Sequence, residues 1–187
     1  MNMINNTKKY PLYKDIKTIV FDFDGIFTDN KVYLNENGEE SIRFDKSDSL
    51  GFDLLRKFKE LKKWDVKILV LTKEKNKVVL QRCKKLKLTC FLGVDDKKKF
   101  ILDNFSSDLD SKKKVVKNLI YLGNDLNDLK SIEIANYSFA PIDAHKIVKR
   151  FSTYVLPFKG GKGFIRSFIE TIINLDKLKK EELFKII

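Results

Sequence analysis

The sequence predicts an α/β fold: a three-layer, doubly wound parallel sheet with one β-hairpin insertion and no separate cap domain. Short apolar runs rich in β-branched and aromatic residues alternate with segments whose apolar residues recur at helical spacing. Their connections are short, and such alternation produces a parallel sheet with helices on both faces. The 187 residues include 43% hydrophobic ones and no Pro- or Ser-rich linker. We therefore expect one domain over residues 1–187, with a core from about residue 16 to 175.

The first predicted elements are a strand and a hairpin. The run IKTIVF, Ile16–Phe21, is short, β-branched and aromatic, which is typical of a buried strand. Two further runs, Lys31–Leu34 and Glu40–Phe44, flank the turn sequence NENG at Asn35–Gly38. This spacing predicts a β-hairpin with a four-residue turn.

Beyond the hairpin, helices and strands alternate in a Rossmann-like order. Leu50, Leu54, Phe58 and Leu61 lie at helical spacing and predict the first helix. In such sheets ligands bind beyond the carboxyl ends of the strands, so residues that directly follow a strand are the candidates for function. The predicted elements are helix Ser49–Lys62, strand Val66–Leu71, helix Asn76–Leu86, strand Thr89–Leu92, helix Asp96–Phe105, strand Asn118–Leu122, helix Asn127–Ala135, strand Tyr137–Ala140, a helix around His145, strand Thr153–Leu156 and helix Gly163–Leu175.

The composition bears on whether the protein binds nucleic acid or membranes. Lys and Arg number 38 against 26 Asp and Glu, a net charge of +12, but the lysines are spread along the chain. No basic motif is interleaved with aromatic residues, so we favour a solvated basic surface over nucleic-acid binding. No apolar run is long enough for a membrane span, the start has no secretory apolar region, and Cys83 and Cys90 form no disulfide framework. We expect a cytoplasmic protein with neither nucleic acid nor membrane as partner.

Two acids follow the first strand, in the motif DFDGIFTD at Asp22–Asp29. Asp22 and Asp24 are two residues apart, and close carboxylates repel each other unless a positive charge lies between them. A hard cation such as Mg²⁺ prefers oxygen ligands and would supply that charge. The alternative is a solvated acidic turn, since short acidic motifs also occur by chance.

Single residues follow the next two strands. Thr72 lies at a strand end, where its hydroxyl could bind a phosphate oxygen or simply cap the following helix. Lys97 lies at the start of a helix, where the helix dipole disfavours a cation. An anion in front of that helix explains Lys97 better, although a surface lysine is the alternative.

The motif GNDLND follows the fourth strand. Asn124 and Asp125 could cap the next helix or bind a ligand, and Asp128 lies about one turn further along. Taken alone, the motif leaves helix capping and a binding site equally open.

Together the four motifs resemble the haloacid dehalogenase superfamily, which consists mostly of Mg-dependent phosphatases. DxD, Thr, Lys and GNDxND occur in this order at strand ends, and the superfamily's signature appears as VFDFDGIFTD. The resemblance extends over about Lys17–Glu170. It implies that Asp22 is a nucleophile that forms an aspartyl-phosphate and that Asp24 is a general acid and base. It also implies that Thr72 and Lys97 hold the phosphoryl oxygens.

The resemblance also implies a magnesium site. Mg²⁺ would bind the Asp22 carboxylate, the Asp24 carbonyl and one ligand from the GNDLND loop, either Asn124 or Asp125. Asp128 would orient the phosphate-binding lysine from behind. Many members have Asp at the position of Asn124, so the predicted site carries one negative charge fewer than usual.

Within the superfamily, the chain is similar to the small capless tetrameric branch that includes 3-deoxy-manno-octulosonate 8-phosphate phosphatase. The supporting stretches are DGIFTDNKVYLNENGEESIRF, GVDDK, FAPIDAHKIVK and GGKGFIR. In that branch the hairpin of one subunit closes the site of its neighbour. The resemblance therefore implies a homotetramer that acts on a small sugar acid phosphate.

Two departures bear on the substrate. Asp53 and Glu74 stand where the octulosonate enzyme has arginines, and SDSxG and LTxEK are more similar to relatives that act on nine-carbon sugar acid 9-phosphates. We therefore expect a nonulosonate 9-phosphate, such as a sialic acid or KDN 9-phosphate, as substrate. The alternatives are the octulosonate 8-phosphate and a non-catalytic tetramerisation module like the tail domain of sialic acid cytidylyltransferase, which shares YLGN. The candidate substrate contacts are Lys46, Ser47, Asp48, Ser49, Glu74, Arg82 and Lys97.

Overall fold

The computed structural model describes residues 9–187, which form a central sheet covered by helices. Its strands are β1 (Thr18–Phe21), β2 (Tyr33–Leu34), β3 (Glu40–Ser41), β4 (Lys67–Leu71), β5 (Thr89–Phe91), β6 (Leu109–Asp110), β7 (Val115–Leu122), β8 (Ala135–Pro141) and β9 (Tyr154–Leu156). Its α-helices are α1 (Lys46–Lys62), α2 (Lys77–Leu86), α3 (Lys97–Phe105), α4 (Leu129–Ile134), α5 (Lys146–Phe151), α6 (Phe164–Ile173) and α7 (Lys180–Ile186).

The sheet has the doubly wound order that the sequence predicts. Its parallel strands run β5-β4-β1-β7-β8-β9, and the short β6 pairs antiparallel with β7. Strands are added on one side of β1 first and then on the other, so the winding reverses between β1 and β7. In such sheets the ligand crevice lies beyond the carboxyl ends of the strands at this reversal.

Two hydrophobic cores lie on opposite faces of the sheet, because successive residues of a strand point to opposite sides. Ile19 and Phe21 of β1 belong to the core under α1, α2, α6 and α7, whereas Val20 belongs to the core under α3, α4 and α5. Phe21 packs edge-on against Phe52 and Phe168, with ring centroids 5.6 and 5.7 Å apart. Burying one such side chain contributes about 1.5–3 kcal/mol.

Side-chain caps fix where three helices begin. Asp45, Asn76 and Asp96 accept hydrogen bonds from backbone N–H groups in the first turns of α1, α2 and α3, at 2.8, 2.9 and 2.9 Å. Each cap contributes about 1 kcal/mol. The cap of α3 sets the start of that helix at Lys97.

The hairpin β2–β3 is the only insertion between β1 and α1, and α2 follows β4 after five residues. The predicted absence of a cap domain after either motif is therefore confirmed within residues 9–187. The hairpin exposes three consecutive apolar side chains, Val32, Tyr33 and Leu34, at 58%, 59% and 66%.

Some element boundaries differ from the predicted ones. Strand β7 begins at Val115 instead of Asn118, because Val115 and Val116 pair with β6, and Asn118 (φ 58°) lies at an irregularity within the strand. Helix α1 begins one turn earlier than predicted, directly after its cap. The sequence analysis did not predict β6 or α7, and α7 buries Ile186 in the core beside α1.

Within residues 9–187, every helix is too short or too polar to cross a lipid bilayer.

Candidate active site

The predicted motifs meet at the carboxyl edge of the sheet. Strands β1 and β7 are in register, with Phe21 opposite Leu122, so that the residues following them are neighbours. Asp22 donates its backbone N–H to the carbonyl of Leu122 at 2.9 Å. Thr72 follows β4, which lies on the other side of β1, and Lys97 is the first residue of α3. The sheet order therefore brings together residues that are a hundred positions apart in sequence.

Lys97 lies between two buried carboxylates. Its Nζ is 2.5 Å from Asp22 Oδ1 and 2.9 Å from Asp128 Oδ1, and all three residues are less than 5% exposed. Tyr121 donates its hydroxyl to Asp128 Oδ1 at 2.7 Å, and the backbone N–H of Asn124 donates to Asp128 Oδ2 at 2.9 Å. Asp128 is thus held on both oxygens and fixes the position of the Lys97 ammonium.

Burial controls the charges of this group. It raises the pKa of the Asp22 carboxyl, Asp128 raises it further, and the Lys97 ammonium opposes both effects. Burial lowers the pKa of Lys97, but Asp22 and Asp128 more than offset this, so its pKa stays above the ordinary value. Lys97 is therefore positively charged at neutral pH, and further positive charge near Asp22 would stabilise its carboxylate form.

Asp24 lies in a different environment from Asp22. The pKa of its carboxyl is raised to about 6. Burial is the largest cause, Glu74 and Glu40 also raise the pKa, and Lys97 lowers it. A carboxyl group with a pKa in this range can both give and take a proton near neutral pH.

A cavity of about 310 Å³ opens beside the two aspartates, and Asn30, Asn124 and Asp125 also line it. The Oδ1 atom of Asn124 is buried and has no hydrogen-bond partner. A Cβ atom at Gly25 would lie 1.9 Å from Asn124 Nδ2, so only glycine leaves room for this side chain. Because a buried amide oxygen is costly without a partner, Asn124 Oδ1 indicates a ligand in this cavity.

The donors around this cavity fit Mg²⁺. They are carboxylate and amide oxygens, and the negative charges of Asp22, Asp24 and Asp128 exceed the single charge of Lys97. Within residues 9–187, no three His, Cys, Asp or Glu side chains form a metal-binding group, so an amide or carbonyl oxygen would have to complete the ligand set. Asp125 also lines the cavity, but it is exposed and its Oδ1 accepts the N–H of Leu126 at 2.7 Å. Asn124 is therefore the better placed of the two candidate ligands.

A second cavity, of about 340 Å³, adjoins the first, and Asp24 and Asn30 line both. Its wall includes Glu40 of the hairpin and Glu74, which follows Thr72 by two residues. Asn76 donates to Glu40 Oε2 at 2.7 Å and so ties the hairpin to the start of α2. A molecule that reacts at Asp22 and extends past Asp24 would enter this acidic cavity.

Thr72 is buried at the end of β4. Its hydroxyl oxygen accepts the backbone N–H of Glu74 at 3.0 Å. The hydroxyl hydrogen stays available to donate, as a group that binds a phosphate oxygen requires.

The residues predicted as substrate contacts at the start of α1 lie apart from both cavities. Asp48 is buried, and its Oδ1 accepts the backbone N–H of Arg166 at 3.0 Å, which caps α6 from a neighbouring helix. Arg82 donates to Ser49 Oγ at 3.2 Å and to the carbonyl of Asp45 at 3.1 Å. Asp48 and Arg82 thus make contacts within the chain, which sequence alone could not distinguish from substrate contacts. Lys46 is exposed and Ser47 is half-buried, and their role stays a prediction, as does that of Ser49.

Sequence reasoning missed Tyr121 and Asn30. Tyr121 belongs to an apolar strand and looked like a core residue, and nothing in the sequence reveals where its hydroxyl points. Asn30 has φ 61°, and asparagine directly after the acidic motif is a recognisable candidate for that left-handed conformation.

The glycine loop after β9 packs directly against the loop that carries Asp22 and Asp24. A Cβ atom on Gly160 would lie 1.9 Å from the carbonyl oxygen of Gly25, and Gly161 donates its N–H to the carbonyl of Ile26 at 3.1 Å. Asp143 accepts the N–H of Gly160 at 3.0 Å and holds the loop from the other side. The loop therefore supports the backbone of the acidic motif.

Comparison with known proteins yields HAD-family hydrolases among the solved structures. No protein-family model matches the chain. A solved structure from Streptomyces avermitilis, assigned to the HAD family of hydrolases, has 32% identity and a TM-score of 0.77, and the match covers 91% of this chain and 94% of that one. The 3-deoxy-D-manno-octulosonate 8-phosphate phosphatase of Moraxella catarrhalis, solved with magnesium, phosphate and KDO, has 26% identity and a TM-score of 0.73, with 87% and 88% covered.

Two curated relatives have names that refer to sugar acids. The 3-deoxy-D-manno-octulosonate 8-phosphate phosphatase of Escherichia coli is 28% identical over 175 residues, which are 91% of this chain and 88% of that protein. N-acylneuraminate cytidylyltransferase A of Danio rerio is 29% identical over 171 residues, which are 90% of this chain but 37% of that protein.

Proposed function

The chain belongs to the haloacid dehalogenase (HAD) family, and we propose that it is a magnesium-dependent phosphatase that hydrolyses the phosphomonoester of a sugar acid. The substrate that we propose is a nonulosonate 9-phosphate. The observation that carries the proposal is the buried Lys97, which contacts Asp22 and is anchored by Asp128 beside the unpartnered Asn124 Oδ1. This arrangement offers a nucleophile, a fixed cation and an oxygen-lined cavity at one point.

In the first step, a carboxylate oxygen of Asp22 attacks the phosphorus atom. A bond forms between Asp22 and phosphorus while the bond from phosphorus to the sugar oxygen breaks. Asp24 gives its proton to the departing sugar oxygen, so the sugar acid leaves as a neutral alcohol. The Lys97 ammonium and the Thr72 hydroxyl hold the phosphoryl oxygens, whose charge must be stabilised throughout.

In the second step, water attacks the phosphorus atom of the aspartyl-phosphate. Asp24, now ionised, takes a proton from the water, and the bond between phosphorus and Asp22 breaks. Inorganic phosphate leaves and both aspartates return to their starting states. A pKa of about 6 for Asp24 supports both of its roles near neutral pH.

Asp22, Asp24 and Asn124 would hold the magnesium ion, with Asp125 as a further candidate. When bound, the ion offsets the negative charge of the phosphoryl group and of Asp22. Asn124 contributes an oxygen without charge, and its Oδ1 lacks any other partner.

The acidic second cavity supports a nine-carbon substrate over the eight-carbon one. Glu40 and Glu74 face the side on which Asp24 would protonate the leaving group, and both raise the pKa of Asp24. Carboxylates accept hydrogen bonds from sugar hydroxyls but repel a substrate carboxylate, and the nine-carbon acid has one more carbon between its phosphate and its carboxylate than the eight-carbon acid. Asp53, where the octulosonate enzyme has an arginine, is exposed and ion-paired with Arg56. The octulosonate 8-phosphate is the second candidate substrate, since its phosphatases are the relatives named above.

The exposed apolar strand of the hairpin supports a homotetramer, in which Val32, Tyr33 and Leu34 would be covered by a neighbouring copy. A non-catalytic tetramerisation module is the alternative function, supported by the likeness to a cytidylyltransferase. The presence of both Asp22 and Asp24 argues against this alternative, because a scaffold does not need two crowded carboxylates.

Phosphate release tests the proposal. Nine-carbon and eight-carbon sugar acid phosphates are supplied with Mg²⁺ to the wild type, to Asp22→Asn and to Asp103→Asn, an exposed control on α3. We expect the control to match the wild type and Asp22→Asn to lose at least about a thousandfold in kcat. Equal rates for the wild type and Asp22→Asn would overturn the mechanism, and a folded wild type without turnover on any substrate would favour the non-catalytic module.

A further inference from the structure

A larger cavity, of about 550 Å³, opens at the opposite edge of the sheet from the candidate active site. It is lined by residues at the amino ends of strands, such as Lys17 and Thr18 at β1 and Lys67 at β4, whereas the catalytic candidates follow the carboxyl ends. The C-terminal end of α1 and the end of α3 complete its wall. The cavity is therefore separate from the site already described, and that site's chemistry does not explain it.

The lining of this cavity is strongly basic. It contains five lysines, Lys14, Lys17, Lys62, Lys63 and Lys67, against two aspartates. Lys17 pairs with Asp108 at 3.5 Å, and Lys62 pairs with Glu182 of α7. Within the described part of the chain, Lys14, Lys63 and Lys67 form no ion pair. Like charges around one concave surface raise the local concentration of anions.

The end of helix α1 explains only part of this charge. Lys62 and Lys63 lie at its C-terminus, where the helix dipole favours cations. Lys14 and Lys67 belong to other elements, a 3₁₀ turn before β1 and the start of β4, and they gain nothing from that dipole. The convergence of four separate segments on one cavity therefore needs a further reason.

The cavity also has a fixed aromatic wall. Trp64 and Phe105 line it and are each 7% exposed. The indole N–H of Trp64 donates to the carbonyl of Ile16 at 2.8 Å, and its ring packs edge-on against Tyr13 at 5.5 Å. These contacts hold the wall in place, so the cavity is formed in advance of any ligand, which lowers the cost of binding.

We propose that this basic cavity binds the oligophosphate group of a small molecule. Its volume lies within the range of ligand pockets, which is about 300–1,000 Å³. Its cations are all lysines, which bind phosphate oxygens as point charges and impose no planar bidentate geometry on the ligand. Several lysines on separate elements match a ligand with several charges better than a monoanion. A nucleoside triphosphate and a free inorganic polyphosphate share this chemistry.

The tryptophan in the wall provides a direct test, because Trp64 is the only tryptophan of the chain. Tripolyphosphate and ATP are titrated separately into the full-length protein without Mg²⁺, and Trp64 fluorescence and calorimetric heat are recorded. We expect saturable binding of both, which NaCl at equal ionic strength does not reproduce. Tighter binding of ATP would identify a nucleotide as the ligand, and equal affinities would identify the phosphate chain alone.

A pair of matched variants decides whether the binding is local. Lys14→Gln with Lys63→Gln removes two cavity charges, whereas Lys84→Gln with Lys85→Gln removes two exposed charges from the last turn of α2. We expect the first pair to raise the Kd for tripolyphosphate at least about tenfold, since it removes two charges that can donate charge-assisted hydrogen bonds to the phosphate chain. The second pair should leave the Kd unchanged. Equal Kd values for the two pairs, or neither heat nor a fluorescence change with the wild type, would overturn the proposal.

Discussion

Asp128 holds Lys97 in place at the floor of the candidate active site. The two side chains are 2.9 Å apart, Asp128 is fully buried, and the Tyr121 hydroxyl and the backbone N–H groups of Asn124 and Asp125 also donate to its carboxylate. Because Asp128 is itself fixed, it holds the Lys97 ammonium in contact with Asp22.

Removing the charge of Asp128 should impair catalysis through Lys97. We expect Asp128→Asn to lower kcat about 10- to 100-fold, the usual effect of losing a partner that orients a group in the site. Tyr121→Phe removes one hydrogen bond to the same carboxylate but keeps its charge, so its effect on kcat should be smaller. Steady-state kinetics at saturating Mg²⁺ compares the two, and an equal loss in both would contradict a role for the charge of Asp128.

Asn124 should limit the affinity for magnesium. Asn124→Asp adds a negative charge at the buried position where Oδ1 has no partner, and the number of ligand charges sets cation affinity. We expect this variant to bind Mg²⁺ at least about tenfold more tightly in isothermal titration calorimetry, a gain of about 1.4 kcal/mol. Asp125→Asn serves as the comparison and should have a smaller effect. Unchanged or weaker binding by Asn124→Asp would count against Asn124 as a ligand.

Glu74 should decide between substrates. Glu74→Arg replaces a carboxylate of the acidic cavity with a cation that can pair with a substrate carboxylate. Because the carboxylate of the eight-carbon acid lies one carbon closer to the phosphate, we expect the ratio of kcat/KM for eight-carbon over nine-carbon sugar acid phosphates to rise about tenfold. The ratio is the proper measure because the substitution also changes the charge near Asp24. Glu74→Gln, which only removes the charge, should shift the ratio less, and an unchanged ratio in Glu74→Arg would exclude this role.

Asp48 should make stability depend on pH. Burial raises the pKa of its carboxyl to about 7, although the N–H of Arg166 lowers it. Because the folded pKa lies above the ordinary value of 3.8, the folded state binds this proton more tightly than the unfolded chain. The resulting stabilisation is complete below the unfolded pKa and is lost as the pH rises through the folded one.

Asp48→Asn tests this pH dependence, since its amide keeps an oxygen for Arg166 but cannot ionise. We expect the Tm of the wild type to fall relative to that of Asp48→Asn between about pH 4 and about pH 8. Asp176→Asn, at an exposed position, controls for the loss of one carboxyl group. Parallel curves of Tm against pH for the wild type and Asp48→Asn would show that the carboxyl group stays ionised when folded.

The close packing of the glycine loop after β9 should matter for activity. A methyl group in Gly160→Ala would meet the carbonyl of Gly25 and displace the loop that carries Asp22 and Asp24. We expect kcat to fall at least about tenfold, because small displacements of reacting groups are costly. Gly38→Ala is the control: its Cβ would meet nothing within 4 Å, so its positive φ should cost only about 1 kcal/mol of stability. A Gly160→Ala protein with the kcat of the wild type would show that the loop can move aside.

The catalytic candidates were predictable because each follows an apolar strand and carries a side chain with distinct chemistry. The strand pattern and the rule that ligands bind at the carboxyl edge made Asp22, Thr72 and Lys97 candidates, and the resemblance to the superfamily supplied their expected roles. Their meeting point also depends on the strand order: the alternation of helices and strands predicts a doubly wound parallel sheet, and the structure adds the order itself.

Other features depend on tertiary contacts that no local pattern encodes. Asp48 resembles a substrate contact in sequence, and only the packing of α1 against α6 reveals it as a cap for another helix. Tyr121 is part of an ordinary apolar run, yet its hydroxyl reaches Asp128. Helix α7 is only seven residues long, which is too short for a helical period to be recognised in its sequence.

The two edges of the central sheet bear on how copies of the chain can associate. Both outermost strands, β5 and β9, are only three residues long. Each therefore offers few free backbone groups as a template for strand addition, and short edge strands are a common protection against aggregation. A net charge of +12 adds repulsion between copies. An assembly of this chain would have to grow through side-chain contacts and not by extending the sheet.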